Sequence, residues 1–194
     1  MEKNAKQKTA FVVILIGCIF ISIFLFFSLG IFGDRVLSPI LSKEEIQSGL
    51  PARLTIPRIG VSAVLEFVSL TTNGEMDVPK DPANVAWFDS GPRPGEEGSA
   101  VIAGHYGWKD DLPAVFDDLS ALQKGDPIYI EDENGVLTTF VVRELRSYGE
   151  DEDVPEVFGS IDGKAHLNLV TCEGVWDAIS KSYSKRLVVF TDKK

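Results

Sequence analysis

Hydrophobic and polar positions divide the chain into two textures. From residue 10 to residue 32 the run AFVVILIGCIFISIFLFFSLGIF holds no charged residue across 23 positions. As a helix, a run of that length crosses a hydrocarbon core of about 30 Å. A secretory signal has a shorter apolar stretch, about 7–15 residues, and ends in an A-x-A-like site. No such site follows this run. The pattern predicts an uncleaved membrane anchor over residues 10–33 behind an N-terminal tail at residues 1–9. Residues 34–52 read as a stalk, with a short helix over residues 40–48 that Gly49 and Pro51 end.

From Arg53 onward the apolar positions come in short, β-rich runs. Strands are expected at residues 53–56, 63–68, 99–103, 127–131, 137–145, 166–171 and 186–191, with a further short one at 75–78. Turn signals separate them: Asn73-Gly74, Pro94-Gly95, Gly125-Asp126, Asn134-Gly135 and Asp162-Gly163. Asn134-Gly135 between two alternating runs predicts a hairpin. Helical periodicity is sparse, confined to residues 113–122 and a turn at 155–158. Residues 53–194 therefore read as one mostly-β domain, a closed antiparallel barrel or a sandwich with short helices.

Charge narrows the function. The chain has 19 basic and 29 acidic residues, net −10. Lys3, Lys6, Lys8 and Glu2 precede the apolar run, so the part after it carries net −12. That balance argues against nucleic acid as a partner, since no basic stripe meets the phosphates. The three N-terminal lysines favour a cytoplasmic N-terminus and an exported C-terminal domain. Of the two cysteines, Cys18 lies in the apolar run and Cys172 in the β-rich domain, so that domain contains no internal disulfide.

Scarce residue types carry the candidate chemistry. Cys172 ends the run 166–171, and alternation puts His166, Asn168, Val170 and Cys172 on one face. If the runs 166–172 and 186–191 pair as antiparallel neighbours, Arg186 falls opposite Cys172. An arginine beside a thiol favours the nucleophilic thiolate and offers a donor to an oxyanion. A thiol nucleophile also needs an acid and base. His166, six residues before Cys172, is about 20 Å away along the same strand. His105 follows the run 99–103 through Gly104, at a strand end where functional loops gather. Each residue also has an inert reading: a buried core cysteine, a satisfied turn histidine, a solvated arginine. Residue types and spacing alone leave these open.

The motifs around them resemble a known family. Leu169-Val170-Thr171-Cys172 is similar to the TLxTC signature of sortases, membrane-anchored cysteine transpeptidases. Ala103-Gly104-His105 resembles their histidine motif, and Lys185-Arg186-Leu187-Val188-Val189 their arginine strand. The order His, Cys, Arg and the 14-residue gap from Cys172 to Arg186 fit as well. The likeness spans residues 53–194, and the motif context looks most like the class E and class F groups. Asn168 stands where the signature has its first threonine.

The resemblance implies a sortase-type closed eight-stranded β-barrel. It implies that Cys172 attacks the Thr–Gly carbonyl of an LPxTG-like sorting signal on a secreted protein, forming a thioacyl-enzyme. His105 would serve as acid and base and Arg186 would bind the substrate and its oxyanion. An amine from a peptidoglycan precursor or a pilin would then take the acyl group. Asn168, Thr171 and Trp176 are candidates to line the substrate groove. No cofactor is required. Calcium would suit the acidic stretch Glu150-Asp151-Glu152-Asp153 or Glu96-Glu97, each of which reads equally as a solvated loop. Two other readings stand beside this one. An L,D-transpeptidase-like cross-linker is disfavoured because Glu173, not arginine, follows the cysteine. A non-enzymatic membrane-tethered β-domain would bury Cys172.

Overall fold

Alternation along the β-rich runs closes a barrel around one apolar core. Leu54 and Ile56, Ala63 and Leu65, Ala100 and Ile102, Leu167 and Leu169, and Leu187 and Val189 all point inward, two residues apart on their strands. Phe116 and Phe140 fill the interior and are fully buried. Each such side chain stabilises the fold by about 1.5–3 kcal/mol relative to exposure. The computed structural model describes residues 49–107 and 112–194. The expected tail, anchor and stalk helix lie outside the described residues. No helix among those described is long and apolar enough to cross a membrane.

Eight strands follow in chain order: β1 (Pro51–Ile56), β2 (Val61–Val68), β3 (Val85–Phe88), β4 (Gly98–Gly104), β5 (Pro127–Asp132), β6 (Leu137–Gly149), β7 (Ala165–Asp177) and β8 (Ser182–Lys193). One helical turn, α1 (Pro155–Phe158), sits between β6 and β7. The barrel closes in the order β1-β2-β3-β4-β7-β8-β6-β5, with β5 returning to β1.

Four features depart from the sequence expectation. The barrel is not purely antiparallel: β2 pairs with β3, and β4 with β7, in parallel. Long crossovers make both pairings, and local alternation carries no sign of direction. The run at 75–78 forms only the isolated bridge Leu70↔Met76. The missing strand is instead β3, four residues long and flanked by a turn-rich loop. The expected helix at 113–122 reduces to a 3-10 turn, Leu119–Ala121. Asn134-Gly135 does close the β5–β6 hairpin, with Gly135 at φ 78°.

A second apolar layer covers one outer wall. Val101, Val188 and Phe190 point outward from β4 and β8 and pack with Tyr148 and with Val157 of α1. Asn168, outward-facing on β7, donates its Nδ2 to the Val157 carbonyl at 2.6 Å, seating α1 on the wall.

Two carboxylates fasten the periphery. Asp132 accepts backbone N–H bonds from Gly49 at 2.6 Å, Asn134 at 2.9 Å and Val136 at 2.8 Å, shaping the β5–β6 turn and holding the entry to β1. Burial pushes its carboxyl up, but these donors outweigh it and the group sits below its ordinary value. Near the start of β7, His166 donates Nδ1 to Asp192 at 2.9 Å and Nε2 to Asp162 at 3.0 Å. His166, with Ser160 and the Lys164 N–H, holds Asp162 well below the usual carboxylate range. Groups depressed in the fold stabilise it above their unfolded value and lose that effect as pH falls. The thermal midpoint should therefore drop on going from about pH 6 to about pH 3, and Asp162→Asn should flatten the dependence. A wild-type midpoint that does not change over that range would contradict the assignment.

Candidate active site

Strand β7 brings the site together by being paired on both edges. On one edge Cys172 lies directly opposite Arg186 of β8. On the other, the parallel pairing with β4 runs to Ala103↔Val170. Counting two residues further on each strand brings His105 level with Cys172, on strands roughly 5 Å apart. Thr171 secures that end, donating its Oγ1 to the Gly104 carbonyl at 2.7 Å. Alternation turns Thr171 inward and buried. Its hydroxyl ties β7 to the end of β4, one residue before His105.

His105 is held by its backbone and by its ring. Its carbonyl accepts from the Phe116 N–H at 3.0 Å. Its Nε2 donates to the Pro79 carbonyl at 2.7 Å. A carbonyl only accepts, so Nε2 carries a proton. Gly104 is required by closeness: a Cβ there would lie 2.7 Å from the Phe116 ring and 2.8 Å from Val115. The loop after His105 is tied by Asp117, which accepts from Gly107 at 2.7 Å and Ala114 at 2.9 Å.

Arg186 is braced by its own strand. Nη1 donates to the Tyr183 carbonyl at 2.8 Å and the Lys185 carbonyl at 3.0 Å, and Nη2 to Ser182 Oγ at 3.1 Å. The register Gly149↔Lys185 brings the end of β6 alongside. Glu150, the next residue, faces Arg186 Nη2 at 3.8 Å.

Three influences set the Cys172 thiol. Burial pushes it up, Arg186 pulls it down and Glu150 pushes it up. Burial wins, so the thiol sits above its ordinary value. The thiolate preference expected from an arginine neighbour is present but outweighed, because half-burial removes the water a thiolate needs.

Aromatic residues crowd the β7–β8 hairpin. Tyr183 meets Tyr106 edge-on at 5.4 Å and Trp176 at 5.1 Å. Its hydroxyl would be 2.6 Å from a Cβ at Gly107, a residue at φ 58°, so glycine there lets the ring pack close. Burial pushes the Tyr183 hydroxyl up, reinforced by Tyr106, Cys172 and Asp117. Trp176 therefore stands in an aromatic cluster with Tyr183 and Tyr106 on the β7–β8 hairpin side.

Asn168 belongs elsewhere. It shares the outward face with Cys172, but four residues of strand separate them by about 13 Å. It is buried beneath α1, where its amide holds the Val157 carbonyl. The acidic stretch is spoken for in part: Glu150 faces Arg186 and Glu152 accepts from the Gly149 N–H at 2.9 Å. Among the described residues no three histidine, cysteine or carboxylate side chains converge to hold a metal. Tyr183 escaped the sequence reading, and Glu150 entered it only as part of the acidic stretch suited to calcium. The one signal for Tyr183 is its place in the short Cys-to-Arg connection.

The closed mixed barrel gathers a thiol, an imidazole and a guanidinium toward one end. A sortase-domain profile matches residues 54–194, and the chain belongs to the sortase family, a family of cysteine transpeptidases. Among curated proteins none matches it. Solved structures similar to it include sortase C-1 from Actinomyces oris, at 23% identity and TM-score 0.57, covering 74% of this chain and 73% of that one. Sortase C1 from Streptococcus agalactiae is similar at 20% identity and TM-score 0.58, covering 74% and 66%. Sortase A from Corynebacterium diphtheriae is similar at 21% identity and TM-score 0.59, covering 76% and 62%. At these identities the structures bear on the fold alone.

The electrostatic balance at the thiol is open to test by the pH dependence of Cys172 alkylation. Its midpoint should lie above that of an ordinary thiol. Arg186→Gln should move the midpoint up and Glu150→Gln should move it down. A midpoint that neither substitution moves would contradict the arrangement.

Proposed function

We propose that the chain cleaves an LPxTG-like sorting signal between threonine and glycine and transfers the new acyl end to an amine. The observation that carries this reading is the cross-strand pair Cys172↔Arg186 with His105 level on the opposite edge of β7. Cys172 Sγ attacks the scissile carbonyl carbon while its proton passes to His105. Arg186 donates to the oxyanion, which a guanidinium does in a fixed fork. The C–N bond then breaks, the amine leaves with the proton from His105, and a thioester remains. An incoming amine gives its proton to His105 and attacks the thioester carbonyl. The C–S bond breaks, and the thiolate regains a proton. A neutral resting thiol fits this sequence, because the charge forms when the proton leaves with substrate in place.

The substrate would be a secreted protein bearing a C-terminal sorting signal. The acceptor would be an amine of a peptidoglycan precursor or a pilin. Residues 10–33 support a single-pass anchor with a cytoplasmic N-terminus, placing the catalytic domain outside the cell. Both substrates then meet the enzyme at one membrane surface. The motif context around Cys172 supports a class E or class F assignment within the family. Trp176, packed edge-on against Tyr183, is a candidate wall of the substrate groove.

The protein incubated with a set of LPxTG-variant peptides should gain the mass of a thioacyl adduct, and Cys172→Ala should gain none. Turnover should fall by two or more orders of magnitude in Arg186→Lys, whose ammonium lacks the fork. An adduct on the Cys172→Ala protein, or no adduct with any peptide while the thiol still alkylates, would overturn the reading.

A further inference from the structure

The acid–base histidine depends on a carboxylate well outside the three motif residues. Glu66 lies on the outer face of β2. The register Glu66↔Ala86 and Ala86↔Ala103 puts it in one row with β4, two residues short of His105. Its carboxylate gathers the loop between β2 and β3. Oε2 accepts from the Lys80 N–H at 3.0 Å, and Oε1 accepts from the Asp81 N–H at 3.3 Å and from Asn84 Nδ2 at 3.0 Å. Burial pushes the Glu66 carboxyl up, but these donors and the Lys80 charge prevail and keep it ionised. The residue just before Lys80 is the buried Pro79, whose carbonyl receives His105 Nε2. The far side of the loop is pinned as well. Pro82 accepts from the Val115 N–H at 2.9 Å, next to the Phe116 N–H that holds the His105 carbonyl.

We propose that Glu66 is a positioning residue for His105, acting through the loop 79–84 to set the Pro79 carbonyl that orients the ring. The proposal rests on the role of His105 as acid and base. Nε2–H donates to the Pro79 carbonyl, so that carbonyl fixes how the ring is turned. Without the Glu66 carboxylate, two backbone N–H groups and the Asn84 amide lose their acceptor. The loop relaxes and the carbonyl no longer selects one tautomer.

The test is nitrogen-15 NMR of histidine-labelled protein, together with steady-state kinetics, on Glu66→Gln. The chain has only two histidines, so the His105→Ala protein identifies the His166 signals. Wild type should show the Nε2–H tautomer at His105, and Glu66→Gln should show a mixture. Its kcat should fall roughly ten- to a hundredfold with the peptide KM unchanged. Should that variant fail to fold, Asn84→Ala removes one of the three contacts and should move the same signals the same way. A folded Glu66→Gln protein with wild-type His105 signals overturns the proposal, as does an unmoved spectrum in Asn84→Ala. A shifted spectrum with unchanged turnover supports the contact and instead overturns the role given to His105.

Discussion

Pairing of β7 on both edges is the constraint on which the site depends. The parallel ladder to β4 fixes where His105 stands and the antiparallel ladder to β8 fixes where Arg186 stands. A slip of one residue in either ladder would turn one of these side chains toward the core. The core guards against such a slip. Leu167 and Leu169 of β7, Ile102 of β4 and Leu187 and Val189 of β8 are buried on the inner face, and each would be expelled by it. Apolar packing inside the barrel thus sets the placement of Cys172 and Arg186 outside it.

The resting site is electrostatically quiet. Arg186 is occupied by two carbonyls, Ser182 and Glu150, and the thiol is kept neutral by burial. A neutral thiol of this kind is a poor target for solvent oxidants. Glu150 weakens the pull of Arg186 on Cys172 by drawing the guanidinium's field toward itself. The surface pair itself contributes little to stability, since both side chains are partly exposed.

What the sequence disclosed follows the range of each interaction. The Cys172↔Arg186 pairing is readable because a short connection joins the two strands and residue counting suffices. The pairing of β4 with β7 joins residues more than sixty positions apart, so nothing local announces that the strand leading to His105 runs alongside the one leading to Cys172. Alternation correctly places Asn168 on the outer face but says nothing of α1 lying over it. β3 is hidden by its length of four residues and its turn-rich flanks. The Pro79 contact is made by a main-chain carbonyl, which any residue there would offer, so no side-chain pattern marks it.

The most direct test of this geometry is a disulfide scan of the β7–β8 register in the chain with Cys18 replaced by serine. Residues directly opposite on antiparallel strands have Cα atoms about 4.5–5.5 Å apart, within disulfide reach. Arg186→Cys should form a disulfide with Cys172 on mild oxidation, and Leu187→Cys, whose side chain faces the core, should form none. A disulfide from Leu187→Cys, with both thiols left free in Arg186→Cys, would contradict the pairing on which the whole site rests.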